Sequence, residues 1–124
     1  MHDDKKRRAA VERAACRYAR AVRKARVTRA DGATWQQTEN YRLACERAEL
    51  RTAQVKQVVY SMGTSEIHVV AYRNFGLHVD KLVRNYSGVT LSRLAIAAID
   101  RWTAAGLRQD VLEAICRRVF NLYL

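Results

Sequence analysis

The 124-residue sequence predicts an all-α protein, in which a long basic helical hairpin precedes a compact part of three shorter helices. Three observations favour this fold class. The chain has no proline and only five glycines, so little in it interrupts a helix. Alanine and arginine, which are strong helix formers, are both abundant. Apolar residues recur at intervals of three and four, which is the spacing of one face of an α-helix.

The first helix of the hairpin is predicted over residues 5–30. Asp3 and Asp4 precede it and suit the positive end of its dipole. Residues 31–34 combine a glycine stop with a threonine cap, and they predict a short loop. The apolar face of this helix is rich in alanine and consists of Val11, Ala14, Ala15, Tyr18, Ala21, Val22 and Ala25.

The second helix is predicted over residues 35–61, and Gly63 ends it. Because an alanine-rich hairpin buries little apolar area per residue, we expect it to need the rest of the chain or a second subunit. The sequence is therefore compatible with a homo-oligomer. The seam of the second helix follows a heptad-like spacing and consists of Tyr41, Cys45, Ala48, Thr52, Val55, Val59 and Met62.

The remaining sequence is more apolar and predicts three helices. The β-branched residues near 55–72 allow a short β-hairpin, but a helix is favoured because one helical face continues through residues 72–86. Gly76 lies within that pattern and allows a kink. Two helices follow over residues 91–105 and 108–122, with Trp102 predicted in the core. We divide the chain into residues 1–62 and 63–124, as parts of one continuous domain.

The net charge of +11 is unevenly distributed. Residues 1–60 carry 15 Lys/Arg against 7 Asp/Glu, whereas residues 61–124 carry 8 against 5. Such asymmetry favours a polyanionic partner, with nucleic acid ahead of a membrane surface or an acidic protein surface. A membrane partner is not expected, because the apolar face of the first helix lacks Trp, Phe and Leu. The alternative is a solvated Arg-rich surface, as GC-rich genomes produce.

A stripe of cations on the first helix is the most specific feature of the sequence. At 100° per residue, its members fall within about 60° of one another, opposite the apolar face. Arginine supplies most of the stripe, and its planar guanidinium suits bidentate contact with phosphate. The predicted nucleic-acid-binding residues are Lys6, Arg13, Arg17, Arg20 and Lys24. A second set of cations on the last helix consists of Arg108, Arg117 and Arg118.

The sequence gives no support to catalysis, metal binding or a cofactor. Cys16, Cys45 and Cys116 form no C-x-x-C pair and are odd in number, which indicates neither a zinc site nor a disulfide framework. Glycine-rich phosphate loops are absent. Cys45 and Cys116 are interpreted as small core residues, and His78 as a histidine at the edge of the core. With no apolar signal core at the N-terminus, the expected compartment is the cytoplasm.

Two functions follow from these features. The first is a non-enzymatic nucleic-acid-binding protein, with DNA preferred, that contacts mainly the phosphate backbone through the first helix. The alternative is a protein–protein interaction module, either an adaptor or an inhibitor that docks on an acidic or nucleic-acid-binding surface. A helix-turn-helix over residues 91–122 is less favoured, because the start of its second helix is acidic. In composition alone, the chain resembles small accessory proteins of phages and high-GC bacteria.

Overall fold

The structure, a computed structural model, describes residues 2–27, 33–64 and 66–124 and confirms the all-α class. Residues 55–61 are helical, and residues 66–72 form a short 3-10 helix and the start of the next α-helix. The described part of that stretch therefore contains no strand. The helices are α1 (His2–Val27), α2 (Ala33–Ser61), the 3-10 helix Glu66–His68, α3 (Val69–Asn85), α4 (Gly88–Ala104) and α5 (Gln109–Phe120).

The chain divides into two compact units, Met1–Ala53 and Gln54–Leu124. The sequence predicted a division near Gly63, whereas the boundary between these units along the chain falls within α2. The last two turns of α2 belong to the C-terminal unit because their valines, Val55, Val58 and Val59, are buried in its core.

In the N-terminal unit, the apolar face of α1 follows the prediction closely. Ala14 and Ala21 are buried, and Val11, Tyr18 and Ala25 are half-buried. Ala15 is exposed, in contrast to the prediction. The predicted loop at residues 31–34 lies partly outside the described residues.

The predicted seam of α2 is wrong in the first half of the helix. Tyr41 is 74% exposed and Cys45 is also exposed, whereas Glu39 and Leu50 are buried and Leu43 is half-buried. At 100° per residue, the buried face of this half lies about 140° around the helix from the face that carries the buried valines. One continuous heptad pattern cannot describe α2, because its two halves bury different faces in different units.

The core of the C-terminal unit is built from the end of α2 and from α3, α4 and α5. Each helix contributes an apolar stripe at three- and four-residue spacing. Trp102 is half-buried rather than fully buried, and its ring packs edge-on against Phe75 at 5.6 Å between centroids. The largest fully buried side chains are Tyr72, Phe75, Leu112, Ile115, Val55, Val59, Val79, Val111 and Cys116.

Two glycines end helices of this unit. Gly63 (φ +74°) and Gly106 (φ +107°) adopt the left-handed conformation that lets a helix close on its own last carbonyl groups. After α2, the amide of Thr64 donates to the carbonyl of Val59, and after α4 the amide of Leu107 donates to that of Trp102. These turns direct the chain sharply into the next segment.

Arg108 joins three helices of the C-terminal unit. Its backbone N–H donates to the hydroxyl of Tyr72 (3.0 Å), and its guanidinium donates to the carbonyl oxygen of Met62 (3.0 Å). The same guanidinium pairs with Asp110 at 2.6 Å, and this hydrogen bond lowers the pKa of the Asp110 carboxyl. Arg108 therefore ties the end of α2 to α3 and to the start of α5.

Gly76 lies where α3 passes close to α2 in this core. The helix α3 continues through Gly76, and a Cβ atom at this position would lie 2.5 Å from Cγ2 of Val55 on α2. Real Cβ contacts are longer than this, and Val55 is completely buried. Only glycine at residue 76 therefore allows α2 and α3 to pack at this distance.

We expect Gly76→Ala to destabilise the C-terminal unit by about 1–3 kcal/mol through overpacking, although alanine is the better helix former by about 1 kcal/mol. Urea denaturation followed by Trp102 fluorescence, in a background in which Trp35 is replaced by Phe, measures the loss. The Val55→Ala variant lacks the Cγ2 atom that would meet the new methyl group. In that variant, Gly76→Ala should therefore lower the free energy of unfolding much less than it does in the natural chain. Equal costs in both backgrounds would show that the contact with Val55 does not require glycine.

Candidate nucleic-acid interface

The helix α1 has the highest density of positive charge in the chain. It carries ten Lys/Arg against three Asp/Glu, and Glu12 is its only acidic residue after Asp4. Its alanines favour the helix because they lose no side-chain entropy in it, and the long basic side chains therefore project from a regular scaffold. The exposed cations among its described side chains are Lys5, Lys6, Arg8, Arg13, Arg17, Arg20, Arg23 and Lys24.

Three of the five predicted site residues form one exposed line. Lys6, Arg13 and Arg20 are spaced seven residues apart, so their Cα atoms follow the helix at intervals of about 10 Å. All three are exposed, and none of them forms an ion pair with another described residue.

The other two predicted site residues contact acids of α2. The Nε atom of Arg17 lies 3.6 Å from Glu46 and 3.7 Å from Glu49, and the Nζ atom of Lys24 lies 3.8 Å from Glu39. The expectation of a stripe without acidic neighbours is therefore wrong for Arg17 and Lys24. At 100° per residue, Arg17 lies at the edge of the stripe that is nearest to the buried alanines of α1, whereas Lys24 lies at the same angle as Lys6.

These ion pairs also orient the two helices. Higher residue numbers on α1 meet lower numbers on α2, which is the order of two antiparallel helices. Glu39 is 3% exposed, and its second carboxylate oxygen accepts no hydrogen bond from the described residues. A carboxylate buried in this way is costly unless a cation is close, so Lys24 favours this register. The packing of the hairpin along its full length stays a prediction.

Sequence reasoning missed the width of the basic surface. Lys5, Arg8 and Arg23 lie outside the 60° stripe and are exposed as well, so the cations cover most of the solvent side of α1. The signal that could have found them is the excess of ten Lys/Arg over three Asp/Glu within α1, rather than the position of cations on one line.

A shallow depression of about 590 Å³ lies along the outer side of α1. It is open to solvent along its length, unlike the enclosed clefts that hold small molecules, and it suits an extended partner better. Its lining consists of Ala9, Glu12, Arg13, Cys16, Arg17 and Arg20.

The two cysteines that were interpreted as core residues differ in burial. Cys116 is buried, and burial raises the pKa of its thiol to about 12, which opposes nucleophilic reactivity. Cys45 is exposed, so its interpretation as a core residue is wrong. Within residues 2–27, 33–64 and 66–124, no group of three or more His, Cys, Asp or Glu side chains could hold a metal ion.

The second set of cations serves the fold. Arg108 holds Met62 and Asp110, and the guanidinium of Arg118 donates to the hydroxyl of Ser61 at 3.0 Å. Arg117 alone of this set has an exposed side chain for which no such contact with a described residue is found. The last helix is therefore a weaker candidate for phosphate contacts than α1.

Comparison of the chain with protein-family models, with curated proteins and with solved structures finds no match. None of the helices in the described ranges is long and apolar enough to cross a membrane.

We expect Arg17→Glu to destabilise the N-terminal unit, because it places a carboxylate against Glu46 and Glu49. The loss should be on the order of 1 kcal/mol, as for other partly exposed ion pairs. Hydrogen exchange read by mass spectrometry should show faster exchange in peptides of α1. Arg13→Glu is the matched control, since Arg13 has no acidic partner among the described residues, and it should leave exchange nearly unchanged. Equal acceleration in both variants would contradict the assignment of the ion pairs.

We expect His78 to make the stability of the C-terminal unit depend on pH. Its ring stacks on Trp102 at 5.2 Å between centroids, and burial lowers its pKa, with Arg101 and Lys81 lowering it further. As the pH falls through the ordinary histidine pKa of about 6.5, His78 binds a proton in the unfolded chain, whereas in the folded chain it stays neutral until the pH is lower. The stability of this unit should therefore decrease between neutral and mildly acidic pH.

His78→Gln should remove part of this decrease, as measured from urea midpoints on both sides of the histidine pKa. His68→Gln is the control, because His68 is exposed. A stability that stays constant over this range in the natural chain would argue against the burial of neutral His78.

Proposed function

We propose that this protein binds nucleic acid without catalysis, through phosphate contacts made by the exposed face of α1. The observation that carries the proposal is the line of Lys6, Arg13 and Arg20, which are exposed, evenly spaced and unpaired among the described residues. Like charges three or four residues apart, such as Arg13 and Arg17 or Arg17 and Arg20, destabilise the helix by a few tenths of a kcal/mol per pair. A polyanion placed along this face relieves that repulsion.

The ion pairs with α2 support the proposal because they hold α1 against α2, so the exposed cations of α1 project from a helix whose position is fixed. Arg17 and Lys24 hold acids of α2, while Lys6, Arg13 and Arg20 extend into solvent. A helix of 26 residues is about 39 Å long, comparable with one turn of B-form DNA at about 34–36 Å. The helix can therefore follow a duplex over several phosphates. Double-stranded DNA is the preferred partner because it carries one negative charge per about 1.7 Å of helix axis, a denser array of phosphates than a single strand offers.

Binding of this kind carries little sequence information. Phosphate contacts position a protein on the duplex, whereas base edges have to be reached for sequence to be recognised. The outer side of α1 offers Ala9, Glu12 and Cys16 between its cations, and none of these is a usual donor to guanine or adenine. We therefore expect weak sequence preference.

A protein–protein interaction module on an acidic protein surface is the second candidate. It is favoured by apolar side chains that the C-terminal unit leaves in solvent. Ile67 is 84% exposed and Val70, one turn later, is 56% exposed. Tyr123 and Leu124 are also exposed, and they border a small groove with Glu113 and Arg117.

The triple variant Lys6→Glu, Arg13→Glu and Arg20→Glu should abolish binding to duplex DNA of any sequence, because it replaces the three cations of the exposed line with acids that repel phosphate. For the natural chain, the logarithm of the binding constant should fall with the logarithm of salt concentration at a slope of about −3, near −0.9 per phosphate neutralised. Fluorescence anisotropy with two labelled duplexes of unrelated sequence measures both effects.

The matched control is Lys56→Glu, Lys81→Glu and Arg117→Glu, which changes the net charge equally at exposed positions of the C-terminal unit. It should retain most of the affinity if α1 is the interface. Equal losses in both triple variants would mean that only the overall charge matters, and absence of binding at low salt would favour a protein partner.

A further inference from the structure

The helix α4 has one face that packs on the core and another that no described residue covers. Leu91, Ala95, Ala98 and Ile99 are buried on the inner face. On the outer face, Val89 is 69% exposed and Ile96 is 46% exposed. The complete outer face consists of Val89, Arg93, Ile96, Ala97, Asp100 and Ala104, all exposed.

The charges on this outer face are complementary to those of the same face on a second, antiparallel copy of α4. Arg93 and Asp100 lie about 5 Å on either side of the midpoint between Ile96 and Ala97, at 1.5 Å per residue. Neither Arg93 nor Asp100 forms an ion pair within the part of the chain that the structure describes. If two copies of α4 pack antiparallel about that midpoint, Arg93 of each copy faces Asp100 of the other.

The apolar residues fit the same arrangement. A twofold axis through the midpoint brings Ile96 against Ile96 of the second copy. Ala97 and Ala104 have no side chain beyond Cβ, so the two helix backbones can approach closely. The apolar contact therefore lies at the centre, with one ion pair on each side of it.

We propose that the outer face of α4 binds a second copy of this chain as an antiparallel, twofold-symmetric dimer. The face covers one helix, so it buries less than a standard interface of about 1,600 Å², and the dimer forms weakly, with a dissociation constant in the micromolar range or above. The proposal does not depend on nucleic-acid binding, because none of these residues lies on α1.

Two single charge reversals test the dimer. Arg93→Glu leaves two acids on the face and Asp100→Arg leaves two cations, so each variant alone repels its own second copy. Each should weaken self-association by at least about tenfold in sedimentation velocity over a range of protein concentrations. The helix should be preserved in both, because residues 93 and 100 are exposed.

Mixing the two variants gives the decisive measurement. In a mixed dimer, both facing pairs again have opposite charges, so Arg93→Glu and Asp100→Arg should form a heterodimer with affinity close to that of the natural chain. The double variant carrying both changes should recover self-association for the same reason. Lys81→Glu, an exposed reversal on α3, is the control and should leave association unchanged.

Three outcomes would overturn the proposal. The natural chain could remain monomeric up to millimolar concentration, the single variants could associate as well as the natural chain, or the mixed variants could fail to pair. Ala97→Trp provides an independent check. It adds bulk at an exposed position, so it should abolish the dimer while leaving the thermal unfolding of the monomer unchanged.

Discussion

The architecture depends on a change of buried face within the single helix α2. Up to about residue 53 this helix buries Glu39 and Leu50, and from residue 54 it buries Val55 and Val59. These residues do not share one heptad spacing, so a single apolar stripe cannot describe the whole helix. The first half places acids where α1 can meet them, while the second half adds three valines to the core formed by α3, α4 and α5.

The acids on α2 determine which cations of α1 remain available. A buried carboxylate without a nearby cation costs several kcal/mol, whereas an exposed ion pair contributes about 1 kcal/mol or less. Lys24 therefore matters chiefly because it relieves Glu39, and Arg17 is restrained between two partly exposed acids. Lys6, Arg13 and Arg20 have no such role among the described residues. The same helix thus combines cations that hold it in place with cations that face solvent.

Sequence periodicity was sufficient for the fold class, the helix order and the buried face of α1, because alanines and valines at regular spacing leave few alternatives. It failed for α2, where Tyr41 and Cys45 continue the spacing of Val55 and Val59 but are exposed. Periodicity also could not separate Arg17 and Lys24 from their neighbours, since their partners lie more than ten residues away in the chain. Gly76 was visible as an interruption, but its reason, the approach of Val55, is a tertiary contact.

Self-association and polyanion binding would reinforce each other if both occur. A duplex that binds several copies raises their local concentration, and a weak dimer that is sparsely populated in solution then becomes well populated on the duplex. Coupling of this kind is reciprocal, so a dimer that engages two segments of backbone binds more tightly than a monomer by the same factor. Weak association through α4 is therefore consistent with a role on nucleic acid. A face with small residues and a single pair of charges allows copies to assemble on a polyanion and to separate away from it.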